Sequence, residues 1–345
     1  MALRTVPVAL AHAQVIERLA PDAWLINFTN PAGLITQALM THTNVRVIGI
    51  CDTPAELFHR IAWSLGLPFE ELEFQYSGLN HLGWVQHVCL RGEDITTRIL
   101  NDDEKLRQLY AAQLFEPGMI RALGLIPSEY LFFYYAKSCA YQNQRAAGAS
   151  RGEQICRLNG ALFDRLQHAI AAGEPGNALA IYKDYLNQRN ASYMRLEAHA
   201  ETALEQASPD ADPFESVTGY HRIALDVMTA LTSDTPKRVV VNVHNHGAIE
   251  DLQPFDVVEI PCMINREGPE PVHMGNLPES VRGLTLAVKA FEHLAIRAAI
   301  ERSFDLARLA LMVNPIVGEW RTATGVLRAL VDGDPEYLGF LNDPV

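Results

Sequence analysis

The sequence predicts an α/β fold in which a partial Rossmann-like, doubly wound parallel sheet merges into a helical α+β carboxy-terminal region. Two apolar runs, at residues 24–28 and 45–50, each end in a polar phrase and are followed by a helix-like segment. Continuous apolar strands that alternate with helices are typical of a parallel sheet covered on both faces. Ligands of such sheets bind beyond the carboxyl ends of the strands, so both polar phrases lie where the chemistry is expected.

The amino-terminal elements follow from the spacing of apolar residues. Residues 3–19 carry apolar side chains at helical intervals, broken only by Pro7, and predict a helix that leads into the first strand. Helices are also predicted over 32–40 and 55–65, one after each strand. Because a buried parallel strand needs neighbours on both sides and only 45–50 is supplied nearby, we expect the sheet to be incomplete at its amino-terminal side.

The rest of the chain predicts two further strand pairs and a helical layer. Strands are predicted at 72–77 and 82–90, on either side of Gly78-Leu79-Asn80-His81. We place a domain boundary near residue 90, which divides the chain into 1–90 and 91–345. The remaining predictions are strands at 238–243 and 255–264, helices at 101–114, 151–166, 178–186, 215–231, 278–300 and 304–312, and an exposed helix or connection at 192–208.

The composition restricts the class of protein. A chain of 345 residues with 48% apolar residues predicts a soluble globular protein with one large core or two smaller ones. We find no apolar run of about 18 residues and no basic segment before an apolar block, so we expect a cytoplasmic protein without a membrane span or secretory signal. A net charge of −13 argues against a nucleic-acid or anionic-membrane surface.

The sequence lacks several common functional signatures. The five cysteines form no C-x-x-C pair, and their odd number fits reduced thiols better than a disulfide framework. Neither G-x-G-x-x-G nor G-x-x-x-x-G-K-[ST] occurs, so a glycine loop that cradles a pyrophosphate is missing. The phrase at 148–152 matches G-x-S-x-G but lacks the buried strand that a nucleophile elbow requires.

Cys51 and His81 are a candidate pair of metal ligands. Each follows a predicted strand, and thiolate and imidazole suit borderline divalent metals such as Zn or Mn. Two protein ligands leave open positions for substrate oxygens. The alternative is structural, because a lone cysteine after a buried strand is usually part of the core and a single histidine is usually held by hydrogen bonds.

Tyr130 is a candidate base. It leads the aromatic cluster 130–135 directly after a proline-containing turn, and Arg151 follows downstream. A tyrosine acts as a base only if a nearby cation or metal lowers its pKa from about 10. The alternative is an aromatic core whose hydroxyl is bonded to the backbone.

Two asparagines and a histidine-containing phrase offer further polar groups at strand ends. Asn27 and Asn30 could hydrogen-bond a ligand hydroxyl or a nicotinamide amide, or Asn30-Pro31 could simply end a strand and start a helix. His244-Asn245-His246-Gly247 follows a later strand. It forms either a second polar edge or a turn with glycine at positive φ.

These phrases together resemble the NAD- and divalent-metal-dependent glycosidases of glycoside hydrolase family 4. The resemblance covers nearly the whole chain, because the phrases occur in the order and spacing of the family. They are LINFTNPAG at 25–33, GICDTP at 49–54, GLNHLGW at 78–84, IPSEYLFFYY at 126–135, SRGE at 150–153, the stretch 242–259 and GNLP at 275–278.

The resemblance implies a lactate/malate dehydrogenase-like fold, NAD and a divalent metal, most often Mn, as cofactors, and a redox-assisted elimination. NAD takes hydride from C3 of the glycoside, a tyrosine removes the C2 proton, the metal stabilises the enediolate and the aglycone leaves C1, before water adds and hydride returns. The residues carried over are Cys51 and His81 as metal ligands, Tyr130 as the base, and Asn30 and Arg151 as substrate contacts. From their own positions in these phrases, we add Asp52 as the second catalytic candidate and Asn27 and Asn30 as candidate NAD contacts.

This sequence departs from the family in two ways. The family's first strand and glycine-rich NAD loop would precede Met1, so the chain resembles an amino-terminally truncated member in which 1–90 is a remnant of the NAD-binding domain. In addition, Asp52 follows the metal cysteine, where Asn tends to accompany 6-phospho-β-glucosides and Asp tends to accompany 6-phospho-α-glucosides. The phrases at 78–84 and 126–135 are more similar to the 6-phospho-β-glucosidase branch.

We therefore expect hydrolysis of 6-phospho-β-glucosides to glucose 6-phosphate and an aglycone, an activity that the truncation could impair. The alternatives are a 6-phospho-α-glucosidase or other family 4 glycosidase, a simple hydroxy-acid dehydrogenase, and an inactive remnant that only binds sugar phosphate or a partner subunit. Family members are commonly dimers or tetramers. The apolar helices from Pro278 onward could supply the interface of such a homo-oligomer.

Overall fold

The computed structural model describes residues 1–110, 114–192, 194 and 219–341. Two β-sheets are surrounded by helices, and the predicted α/β class is confirmed. The strands are β1 (Trp24–Asn27), β2 (Arg46–Gly49), β3 (Leu72–Leu79), β4 (Leu82–Leu90), β5 (Glu93–Asp94), β6 (Ile126–Pro127), β7 (Lys237–His244), β8 (Val257–Asn265) and β9 (Gly268–Pro271).

The first sheet has the strand order β1-β2-β7-β8-β9. β1 and β2 are parallel, as predicted, and β1 lies at the edge among the described strands. β7 joins β2 in the antiparallel direction through the pair Gly49 and Asn242. One sheet therefore combines strands from the beginning of the chain with strands near residue 240.

The second sheet is built on the hairpin of β3 and β4, to which β5 and β6 are added. The hairpin turn is Asn80-His81, with His81 at a φ of 63°. Gly78 and Gly83 pair across the start of the hairpin. β3 also packs against β8, so this turn lies beside the first sheet.

Helices cover both sheets. α2 follows β1 and is buried from Ala32 to Leu39, which explains its apolar composition. The helices are α1 (Ala2–Leu19), α2 (Ala32–His42), α3 (Thr53–Leu65), α4 (Thr96–Leu100), α5 (Asp103–Gln108), α6 (Pro117–Leu123), α7 (Phe132–Tyr135), α8 (Lys137–Ala147), α9 (Arg151–Ala171), α10 (Ala178–Ala191), α11 (Tyr220–Thr232), α12 (Glu279–Glu301), α13 (Phe304–Val313), α14 (Trp320–Gly333) and α15 (Pro335–Leu338).

One predicted helix differs from the structure. The segment 101–114 contains α5 but not one continuous helix, because Asp102 starts a new helix by accepting hydrogen bonds from the backbone N–H groups of Glu104 and Lys105. Residues 111–113 lie outside the described part, as do most of the predicted connection at 192–208 and the first residues of the predicted helix at 215–231.

The length and polarity of the helices bear on membrane insertion. Within 1–110, 114–192 and 219–341, no helix combines the length and the apolar character that a bilayer span requires.

Candidate active site

The loop after β1 carries Asn27 and Asn30. The buried Asn27 amide donates to the carbonyl oxygen of Ala32 at 3.2 Å and to Oγ1 of Thr36 at 3.1 Å, and its Oδ1 accepts from the backbone N–H of Thr29 at 3.1 Å. Asn27 therefore ties the strand end to α2, and its predicted contact with NAD stays a prediction. Oδ1 of Asn30 accepts a hydrogen bond from the backbone N–H of Ala32 at 3.4 Å, and the Asn30 side chain lies near the hydroxyl of Tyr220.

The loop after β2 carries Cys51 and Asp52. At Gly49 the end of β2 lies very close to α2, because a Cβ added to Gly49 would lie 2.3 Å from Oγ1 of Thr36. Cys51 is 2% exposed, and burial, followed by the negative charges of Glu259 and Asp52, raises the pKa of its thiol. Burial, followed by the charge of Glu56, also raises the pKa of the Asp52 carboxyl.

The β3–β4 turn brings His81 to Tyr130. The two rings are stacked with centroids 4.0 Å apart and an interplanar angle of 23°. Burial lowers the pKa of His81 to about 4, so its imidazole is neutral at physiological pH. Neutral imidazole is the form that binds metals. The predicted base and one predicted metal ligand are thus in direct contact.

Tyr220, at the start of α11, is a site residue that the sequence analysis missed. Its hydroxyl lies near the side chains of Asn30, Cys51 and Asp52. Its ring lies 5.8 Å from that of Phe28. Burial, followed by the charges of Cys51 and Asp52, raises the pKa of this tyrosine. Tyr220 thereby joins the loops after β1 and β2.

Two buried glutamates next to these loops were also missed. Burial raises the pKa of Glu259, in β8, to about 7, against the effect of hydrogen bonds from Asn80, Asn242 and Tyr76. Burial, followed by the charge of Glu56, raises the pKa of Glu129 to about 8. A glutamate inside an apolar strand was the sequence signal for Glu259, because VVEIPC breaks a run of apolar residues.

Arg151 lies at the first position of α9. Its guanidinium donates to Oε1 of Gln154 at 2.8 Å, to Oγ of Ser192 at 2.6 Å and to the carbonyl oxygen of Arg189 at 3.0 Å. These contacts hold the start of α9 against the end of α10. The predicted contact of Arg151 with substrate stays a prediction.

The phrase at 244–247 forms a turn, as one of the two interpretations predicted. Gly247 has a φ of 84°, and His246 has a φ of 47°. Asn245 is structural, since its amide donates to the carbonyl oxygens of Ile249 and Leu252. Among the residues that the structure describes, Nε2 of His244 is buried without a hydrogen-bond partner.

The role of Cys51 and His81 as metal ligands stays a prediction. Within the described ranges, no cluster of three or more His, Cys, Asp or Glu side chains could hold a metal ion. The chain thus offers two donors, a thiol that a metal would deprotonate and an imidazole that is already neutral. Their chemistry fits a borderline divalent metal with positions left for substrate.

Known families match most of this chain. Residues 1–67 match "Family 4 glycosyl hydrolase", and residues 76–317 match "Family 4 glycosyl hydrolase C-terminal domain". The chain is 30% identical to a probable 6-phospho-beta-glucosidase of Bacillus subtilis, over 97% of this chain and 70% of that protein.

Solved structures show the same fold. A 6-phospho-beta-glucosidase from Thermotoga maritima with manganese, NAD⁺ and glucose-6-phosphate superposes with a TM-score of 0.74 at 24% identity, over 97% of this chain and 71% of that one. A 6-phospho-alpha-glucosidase from gut microorganisms with NAD and glucose-6-phosphate superposes with a TM-score of 0.73 at 25% identity, over 99% and 72%. From these matches and the site geometry, we conclude that this chain belongs to family 4 of the glycosyl hydrolases.

Proposed function

We propose that this chain hydrolyses 6-phospho-β-glucosides to glucose 6-phosphate and an aglycone, with NAD and a divalent metal, Mn²⁺ in the first instance, as cofactors. The observation that carries the proposal is the pairing of a neutral His81 with Tyr130. Glu259 lies near the buried Cys51 and is hydrogen-bonded to Asn80, which directly precedes His81. The relationship to a probable 6-phospho-beta-glucosidase supports the same substrate class.

Each group has a role in the proposed reaction. Cys51 and His81 would hold the metal, which supplies Lewis acidity at a developing oxyanion, while NAD supplies the hydride acceptor. Tyr130 takes the proton from C2 of the sugar, and its stacking on His81 fixes the ring. Asn30 and Arg151 bind substrate, and Asn27 and Asn30 contact NAD. Asp52 is the second candidate for the proton transfer.

The anomer is part of the proposal. A relative at 30% identity is named for the β-anomer, whereas solved structures named for the β- and the α-anomer are 24% and 25% identical. The 30% identity and the phrases at 78–84 and 126–135 favour β, whereas Asp52 favours α.

The test is the release of p-nitrophenol from p-nitrophenyl 6-phospho-β-glucoside and from its α-anomer, with Mn²⁺ and NAD present. We expect the β-anomer to be cleaved with a kcat/KM at least about tenfold higher, a difference of about 1.4 kcal/mol in transition-state binding. Faster cleavage of the α-anomer would make the chain a 6-phospho-α-glucosidase.

An inactive chain that only binds sugar phosphate or a partner subunit is the alternative from a different class. Titration with NAD separates the two, since the enzyme requires saturable binding by about 1 mM, the upper end of ordinary KM values. Net production of NADH without release of the aglycone would instead indicate a hydroxy-acid dehydrogenase.

We further propose a cytoplasmic homo-oligomer, a dimer or a tetramer. Apolar side chains of the carboxy-terminal helices are exposed, with Leu286 at 42% and Leu330 at 47%. Such a surface is suited to association with a second copy. Light scattering at high protein concentration tests this, and a monodisperse monomer would contradict it.

A further inference from the structure

Glu259, in the middle of β8, is a buried carboxylate to which the proposed reaction gives no role. It is 1% exposed, and its Oε2 accepts a hydrogen bond from the Tyr76 hydroxyl at 2.9 Å. Its Oε1 accepts from Nδ2 of Asn80 and from Nδ2 of Asn242, both at 3.0 Å. All three of these donors are neutral. Burying a carboxylate among neutral donors is costly, so the burial of Glu259 needs a compensating gain elsewhere in the structure.

The first two partners of Glu259 fix the turn that carries His81. Asn80 directly precedes His81, and its Oδ1 also accepts a hydrogen bond from the backbone N–H of Gly33 at 3.3 Å. Gly83, two residues after His81, lies against the Tyr76 ring so closely that an added Cβ would be 2.1 Å from the hydroxyl oxygen. Asn80, on one side of His81, is therefore bonded to Glu259 directly, and Gly83, on the other side, lies against the Tyr76 ring, which is also bonded to Glu259.

The third partner reaches the loop that carries Cys51. Asn242 is paired with Gly49 in the sheet, and a Cβ added to Gly49 would lie 2.8 Å from that of Asn242. Cys51 follows two residues later. Within the described residues, Oδ1 of Asn242 is buried without a partner, so its bond to Glu259 is what orients this amide. The carboxylate thus lies between the two loops that carry the candidate metal ligands.

We propose that Glu259 is a positioning residue that holds the Cys51 loop, the His81 turn and the start of α2 in one arrangement, so that a divalent cation can be bound by both ligands. The proposal rests on the proposed function, because the cation is the one assigned there to Cys51 and His81. Glu259 itself acts through Asn80, Asn242 and Tyr76.

Two substitutions separate hydrogen-bond geometry from charge. Glu259→Leu removes both acceptor oxygens, whereas Glu259→Gln keeps a carbonyl oxygen for the two asparagine amides. Both remove the negative charge, so a difference between them reports the geometry. Glu270→Gln, exposed on the neighbouring strand β9, is the matched control.

Two measurements are made on each variant of the full chain. Mn²⁺ affinity is measured by isothermal titration, and the rate of Cys51 alkylation by iodoacetamide is measured without metal by mass spectrometry. We expect Glu259→Leu to weaken Mn²⁺ binding by about 10–100-fold, as loss of a group that orients metal ligands typically does. Alkylation should accelerate at least about tenfold through local opening, and Glu259→Gln should stay within about threefold in both measurements.

Three results would overturn the proposal. A folded Glu259→Leu variant with wild-type affinity and alkylation would do so, as would a Glu259→Gln variant that is as impaired as Glu259→Leu. If circular dichroism shows that Glu259→Leu does not fold, Asn80→Ala takes its place, and wild-type Mn²⁺ affinity in that variant overturns the positioning role. If the wild-type chain binds no Mn²⁺, the proposed function loses its metal site, and the alkylation rates alone decide the role of Glu259.

Discussion

At the scale of single residues, burial shifts the pKa values of the ionisable groups of the site toward their neutral forms. The pKa of the Cys51 thiol is raised, that of His81 is lowered to about 4, and that of Glu259 is raised to about 7. A charge introduced into such a site interacts more strongly than it would in water. The site is therefore suited to a bound cation, which would reverse the preference of the thiol.

The assignment of Cys51 and His81 as metal ligands predicts the behaviour of two variants. Cys51→Ser and His81→Ala should each abolish Mn²⁺-dependent activity while the fold is kept, because each removes one of two protein donors. The measurement is metal content by elemental analysis after loading. The matched control is Cys139→Ser, which replaces an exposed cysteine. Wild-type stoichiometry in both variants would mean that these residues are not the ligands.

Tyr130→Phe tests the base. The variant keeps the ring that stacks on His81 at 4.0 Å and removes only the hydroxyl, so stability should change little. If Tyr130 removes the C2 proton, turnover should fall by about 10²–10⁴. Exchange of the C2 hydrogen in deuterated water is the direct measurement, and exchange that persists in the variant would transfer the role to another group, Asp52 first.

The residues of the site differ in how far the sequence could predict them. Cys51, His81 and Tyr130 stand in short phrases at strand ends, and the structure brings His81 and Tyr130 into contact. Tyr220 carries no such signal, because it starts a helix far from Cys51 in the chain and joins the site only through the fold. Spacing within a sequence does not report contacts of this kind.

At the scale of elements, α12 carries a buried ion pair whose lysine is also hydrogen-bonded to the first sheet. Lys289 donates to the carbonyl oxygen of Val257 at 2.7 Å and to Oε2 of Glu292 at 2.5 Å, and both side chains are less than a tenth exposed. A helical pattern predicted α12, but not these two charges on its buried face. Val257, the β8 residue that Lys289 contacts, is distant in the sequence. Helical periodicity alone therefore predicts that both charged side chains face solvent.

This pair predicts opposite outcomes for single and double substitutions. Glu292→Leu removes the carboxylate that is bonded to a buried ammonium and should lower the free energy of unfolding by about 3–5 kcal/mol. The double variant Lys289→Met, Glu292→Leu should recover most of this loss, since well-packed apolar residues replace buried pairs at little cost.

Urea denaturation measures both free energies of unfolding. The matched control is Glu301→Gln on the same helix, which breaks an exposed pair with Arg297 and should change stability by less than about 0.5 kcal/mol. A single variant as stable as the wild type would contradict the buried-charge argument.

At the scale of the whole molecule, strand order was the least predictable feature. The parallel pair of β1 and β2 follows from apolar runs joined by a helix, as expected. That β7 to β9 complete the same sheet depends on the pairing of Gly49 with Asn242, where no bulkier residue fits at position 49. The division at residue 90 stays a proposal, although one core cluster contains both Ile48 and Val288.

The buried glutamates also set how the stability of the whole molecule depends on pH. The pKa of Glu259 is raised from 4.5 to about 7 in the folded chain, so the folded state binds this proton more tightly than the unfolded state does. Below the unfolded pKa both states are protonated and nothing is lost. As pH rises through the interval up to the folded pKa, the free energy of unfolding falls, because the buried carboxyl must ionise. The raised pKa of Glu129, about 8, acts in the same direction.

We therefore predict that Glu259→Gln flattens this dependence. Wild-type stability should fall by on the order of 3 kcal/mol from this group between about pH 5 and about pH 8, at no more than about 1.4 kcal/mol per pH unit. The variant cannot ionise there, so this contribution should vanish while those of Glu129 and His81 stay as in the wild type. Glu270→Gln should follow the wild type. Urea denaturation across this range measures the difference. Parallel curves for the wild type and Glu259→Gln would show that the carboxyl of Glu259 has the same pKa in the folded and unfolded states.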